Sequence, residues 1–166
     1  MNKKFLPLSI IAFVFFLDRL VKNLILENYS AGGGFAVIPG LFHITRVNNT
    51  GAAFGMLKGY GTMLIVISAL FVVFLLLCLL RSVFSASDKT GEGEKAASKF
   101  LSEAAWSLII AGAAGNLFDR ARYGYVVDFL DFRIWPVFNL ADASICLGVF
   151  LVALGLWERK KTAGQN

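Results

Sequence analysis

Among its 166 residues the chain has one histidine, two cysteines and little charge: Asp, Glu, Lys and Arg together make up 16%. Each scarcity removes a class of chemistry. His43 stands alone, so a histidine-based zinc motif such as HExxH has no second imidazole. A Ser-His pair would have to use His43, and there is no GxSxG elbow to present the serine. His43 reads instead as a surface residue of a short strand. The chain contains no P-loop and no dinucleotide fingerprint. Cys78 in "LLLCLL" and Cys146 in "ASICLGV" form neither a disulfide framework nor a CxxC pair, and they read as inert packing residues.

What is abundant is apolar. The chain is 57% hydrophobic with 16 phenylalanines, against about 45–50% apolar in soluble domains. Four stretches approach the roughly 20 helical residues that cross a bilayer core. They span about 5–26, 62–80, 101–118 and 138–157. The first could be a secretory signal, with Lys3-Lys4 before an apolar run. No small-x-small cleavage pattern follows promptly, and apolar residues resume after Lys22, so an uncleaved helix is expected.

The expected fold is a single α-helical membrane domain over 1–166, with four transmembrane helices. Nine of the 16 basic residues lie in Lys3-Lys4, in the 81–99 loop and in Arg159–Lys161. Cytoplasmic flanks attract Lys and Arg, which puts both termini inside. The net charge of +5 is therefore a topology signal, with no nucleic-acid partner expected. The polar 81–99 segment reads as a flexible cytoplasmic connection. The outer segment 28–60 is rich in Gly, β-branched and aromatic residues, and "LFHITRV" partly alternates. It predicts a strand or two, a small β-rich cradle between the first and second spans.

An ionisable group at membrane depth is costly and points to function. Asp18, Lys22, Asp119, Arg120, Asp128, Asp131 and Asp142 all fall at the outer ends of spans or just beyond them. Local alternatives stand beside that reading. Asp18 and Lys22 are spaced to pair along one helix face. Asn139 and Asp142 in "FNLAD" have the spacing of a capping box. Ala111 and Gly115 form a small-xxx-small face for helix contact. Asp128 and Asp131 in "VVDFLDF" share a face if helical and point apart if extended. With Asp, Asn and Arg left as chemistry-bearing groups, the simplest device is a carboxylate pair activating a water.

Four blocks carry a resemblance. "NNTGAAFG", "GAAGNLFDR", "VVDFLDF" and "FNLADASICLG", in this order and with "FFLDRLVKNLI" before them, resemble the motif blocks of the lipoprotein signal peptidases (signal peptidase II). The likeness covers most of the chain. It implies a bacterial membrane aspartic endopeptidase that removes the signal peptide from diacylglyceryl-modified prolipoproteins, on the amino side of the lipobox cysteine. It places the catalytic pair at Asp128 and Asp142, with Asp131 a bystander. It assigns Asn49, Asn116, Arg120 and Asn139 to holding substrate and orienting carboxylates, and Asp18, Lys22, Gly51 and Asp119 to support. It implies an inner-membrane location with the site at the outer face, a glycine-hinged cover from "GGGF…NNTGAAFG", and acyl chains left in lipid. A monomer suffices, no metal or organic cofactor is needed, and inhibitors of the globomycin type would bind at the pair. Two rivals remain. A proton- or cation-coupled transporter would carry its charges towards the midplane and often show paired half-repeats. A non-catalytic assembly factor would tolerate Asp→Asn at both positions.

Overall fold

The computed structural model describes residues 5–51, 60–85 and 93–163. Four helices dominate: α1 (Leu6–Asn28), α2 (Gly61–Ser85), α3 (Gly93–Tyr123) and α4 (Leu140–Ala163). Three strands complete it: β1 (Gly34–Ile38), β2 (Phe42–Asn49) and β3 (Val126–Asp131).

By length and composition α2, α3 and α4 can each cross a bilayer, over Gly61–Arg81, Lys99–Tyr123 and Leu140–Trp157. Helix α1 carries Asp18, Arg19 and Lys22, yet its 23 residues reach about 34 Å. Its charges are buried against the other helices, while Phe13, Phe16 and Leu20 are exposed. It therefore shows lipid the same apolar exterior as its neighbours and is the fourth membrane helix. Pro7 sits in its first turn, where a missing N–H costs nothing.

Helix α3 is the hub and packs on each of the other three. Leu75, Leu79 and Val83 of α2 meet Ile109 and Ile110 of α3 in one apolar core. Against α4 the contact is made by small residues. A Cβ on Gly148 would lie 2.6 Å from the Ala105 carbonyl oxygen, and one on Gly112 would collide with the Ala141 carbonyl. Ser144 Oγ donates across this seam to the Leu108 carbonyl (3.2 Å). Without hydrophobic drive between helices in lipid, such close backbone approach is what binds them.

The sheet has the order β1-β2-β3, antiparallel throughout. Only two of its strands come from the segment after α1. The third is "VVDFLD", between α3 and α4, which extends the expected cradle. The chain then returns so that Phe138 bridges Leu130, which sets Asn139 and the start of α4 beside β3. Gly34 lets the start of β1 lie close against β2, because a Cβ there would run into the Ile44 carbonyl. The glycine-rich stretch thus has a packing reason. Arg46 of β2 ties the sheet to the end of α1, donating to the Tyr29 carbonyl (2.7 Å).

Several expectations change. Helix α2 continues to Ser85 and α3 begins at Gly93, so most of the 81–99 connection is helical; residues 86–92 lie outside the described residues. Of the cover expected from "GGGF…NNTGAAFG", residues 32–51 are taken up largely by β1 and β2, and 52–55 lie outside the described residues. Cys78 and Cys146 are exposed rather than packed. Faces that would be core in water face lipid here, and a thiol is at home there as a small apolar group.

Candidate active site

The C-terminal ends of α1 and α3, the N-terminus of α4 and strand β3 meet at one end of the bundle. Asp128 lies on β3 and is 2% exposed. Because β3 is extended, Asp131 points the other way. It accepts from Thr45 Oγ1 (2.9 Å) and from the Arg133 backbone N–H (2.9 Å), a structural duty at the sheet edge. His43 stays on β2 near the same edge, with Nδ1 2.5 Å from an Arg133 nitrogen.

Asp142 is the third residue of α4. Its backbone N–H donates to Asn139 Oδ1 (2.9 Å), and its Oδ2 accepts from the Asn139 N–H (3.3 Å). The capping box read from "FNLAD" is therefore real. It does not exhaust Asp142, whose Oδ1 accepts from Asn116 Nδ2 (2.7 Å).

Asp128 is held by two more asparagines. Its Oδ1 accepts from Asn139 Nδ2 (2.6 Å) and its Oδ2 from Asn49 Nδ2 (2.9 Å). The three amides have no freedom to flip. The Gly51 and Asp142 backbone N–H groups and the Lys22 ammonium can only donate, and they occupy Oδ1 of Asn49, Asn139 and Asn116 respectively. Each amide is left to donate to a carboxylate. Burial, and then the Asp142 charge, push the Asp128 carboxyl up to about 7, against the opposing pull of Asn49, Asn139 and Lys22.

Both carboxylates line one cavity of about 560 Å³, with Asn49, Asn116 and Arg120. Its outer wall is apolar and includes Trp135, Pro136, Val137 and Ile145. Arg120 Nη2 donates to the Gly51 carbonyl (3.1 Å), and its charge is in reach of Asp142, Asp128 and Asp119.

Behind the cavity lies a buried charge cluster. The Lys22 ammonium contacts Asp18 (3.0 Å), Asp119 (2.8 Å) and Asn116 Oδ1 (3.0 Å), using all three protons. The i, i+4 pairing of Asp18 with Lys22 is present, within a larger network. Arg19 joins it by bonding both Asp18 and Asp119. Arg19 was not among the residues singled out from the sequence. Its signal was there, a third charge in one apolar helix turn that needs buried partners.

Every supporting residue read from the sequence thus falls in or directly behind one cavity. Two carboxylates facing one cavity are the parts from which a water can be activated.

The signal peptidase (SPase) II family model matches residues 10–158. A lipoprotein signal peptidase of Halothermothrix orenii is 43% identical over 152 residues, covering 92% of this chain and 95% of its own. One from Moorella thermoacetica is 38% identical, covering 90% and 89%. A solved structure described as a bacterial membrane enzyme, obtained by the in meso method at 2.3 Å resolution, superposes with a TM-score of 0.78 at 31% identity. It covers 94% of this chain and 90% of its own. With that match and these four membrane helices, the chain belongs to the signal peptidase II family and is a membrane aspartic peptidase of that type.

Proposed function

We propose that Asp128 and Asp142 are the catalytic pair of an endopeptidase that removes the signal peptide from diacylglyceryl-modified prolipoproteins, cutting on the amino side of the lipobox cysteine. The observation that carries this reading is the shared cavity, in which asparagine donors aim one buried and one half-buried carboxylate. The relatives' name, lipoprotein signal peptidase, supports the substrate class.

At neutral pH the pair holds one proton, because two carboxylates facing each other in one cavity resist ionising together. The ionised partner takes a proton from water as the water oxygen bonds to the scissile carbonyl carbon. The protonated partner donates to the carbonyl oxygen, giving a neutral tetrahedral diol. Collapse breaks the C–N bond. A proton passes from the pair to the departing amine, and the second hydroxyl proton returns to the pair. Asn49 and Asn139 on one carboxylate, and Asn116 on the other, keep both in place through these transfers. Arg120, anchored on the Gly51 carbonyl, borders the cavity where the peptide would lie.

The scissile bond of a lipid-anchored cysteine lies at the membrane surface. The cavity sits at the end of the bundle that carries the sheet, which suits the outer face with both termini cytoplasmic. Its apolar wall lets the acyl chains remain in lipid, and one chain supplies every group the reaction uses. Globomycin-type inhibitors would occupy the same cavity.

The test is processing of a diacylglyceryl-modified prolipoprotein by purified enzyme, read as a gel shift. Asp128→Asn and Asp142→Asn each lose activity by about a thousandfold or more, while Asp131→Asn retains most of it. Cleavage by Asp142→Asn would reduce that residue to a helix cap and sink the pair.

A further inference from the structure

Arg19 touches neither carboxylate of the pair, yet it is connected to both by the same kind of link. One guanidinium nitrogen bonds Asp18 Oδ2 (2.8 Å) and the other bonds Asp119 Oδ1. Asp18 Oδ1 in turn accepts the backbone N–H of Ala141 (3.1 Å), the residue before Asp142. Asp119 Oδ2 accepts the backbone N–H of Val127 (3.2 Å), the residue before Asp128. Each aspartate of the pair therefore has its preceding peptide gripped by a buried carboxylate, and one guanidinium bridges the two grips. Arg19 is itself buried and lies over the Phe118 ring at 4.9 Å, so its position is determined from several sides.

Charge points the same way. The cluster holds Asp18 and Asp119 against Arg19 and Lys22, and it is neutral only with Arg19 present. The groups facing the pair are Asp18 and Lys22 from α1, Arg120 from α3, and the neutral Asn49, Asn116 and Asn139, with Arg19 and Asp119 one step behind them. Losing Arg19 would leave a net negative charge directly behind two carboxylates that must hold one negative charge between them.

We propose that Arg19 is a positioning residue that yokes β3 to the start of α4 through Asp119 and Asp18, setting both the spacing and the ionisation of the Asp128–Asp142 pair. This rests on the reading of that pair as catalytic. A planar fork can bridge two carboxylates, whereas a lysine ammonium supplies the charge without the span.

The experiment measures kcat, KM and the pH profile of prolipoprotein processing for wild type, Arg19→Gln, Arg19→Lys, the Asp18→Asn/Arg19→Gln double variant and Asp128→Asn. Arg19→Gln is expected to cut kcat about tenfold with KM nearly unchanged, since misplacing reacting groups costs rate more than binding. Its acid limb moves up by about half a pH unit, because removing a nearby positive charge makes a carboxylate harder to ionise. Arg19→Lys keeps the wild-type limb but not the wild-type kcat. The double variant, neutral again, brings the limb back towards wild type. A wild-type limb and kcat in folded Arg19→Gln, with only a lower melting temperature, would overturn the proposal. If Arg19→Gln does not fold, wild-type kcat in Arg19→Lys overturns it equally. Activity in Asp128→Asn would instead bring down the catalytic pair, which separates the two failures.

Discussion

Asn139 and Asp142 hold each other across the first turn of α4, backbone to side chain in both directions, and each has one side-chain atom left for other work. Asn139 Nδ2 donates to Asp128 and to Asn116, and Asp142 Oδ1 accepts from Asn116 Nδ2. A helix cap and a candidate reaction centre are thus one structure. The rigidity of the helix end is the rigidity of the carboxylates.

Asn139→Ala should therefore fail twice. Loss of the cap costs about 1–2 kcal/mol of stability. Loss of the donor to Asp128 lowers processing by roughly a hundredfold. Thermal unfolding in detergent and the gel-shift assay read the two effects separately. A stability loss with full activity would show that Asp128 does not depend on Asn139.

The elevated Asp128 carboxyl predicts a pH dependence of stability. Folded, it keeps its proton up to about 7; unfolded, only to its ordinary value of 3.8. Between those values the folded chain binds more protons than the unfolded one, so this group's contribution falls as pH rises and levels off above about 7. Asp128→Asn removes that dependence. Relative to wild type it should gain about 2–3 kcal/mol between pH 5 and pH 8. Melting curves at the two pH values, parallel for both proteins, would contradict the elevated carboxyl.

Two glycines of α4 should behave oppositely. A Cβ at Gly148 meets the Ala105 carbonyl and Ile109, whereas one at Gly155 meets nothing within 4 Å. Gly148→Val should separate α3 from α4, cost about 2–3 kcal/mol and weaken the Asn116–Asp142 contact. Gly155→Ala should stabilise by up to about 1 kcal/mol through helix propensity. Detergent melting temperatures and activity in the same preparations decide both.

Arg46→Met should loosen the sheet without touching the cavity's carboxylates. It removes the donor to the Tyr29 carbonyl at the end of α1 and the contact with the Tyr125 hydroxyl (3.3 Å). A loss of about 1–2 kcal/mol is expected. Hydrogen exchange should rise first in β1 and β2, and unchanged exchange there would refute the tie.

By itself the sequence determined the helices, their apolar exteriors, the polar layer at one end and the cap at "FNLAD". These are local properties. Hydropathy sets burial in lipid, and a capping box lies within four consecutive residues. The motif blocks also name most of the residues around the cavity. Only the tertiary structure decided that "VVDFLD" is a strand, because β2 had to be present to pair with it, and that pairing is what turns Asp128 away from Asp131. It likewise decided that Asp142 both caps and faces the cavity, since Asn116 arrives from α3. Gly34 needed the Ile44 carbonyl behind it to have a reason. Arg19 needed Asp119, a hundred residues further along the chain. A buried charge states in the sequence that it must have a partner; which partner it has is a matter of packing.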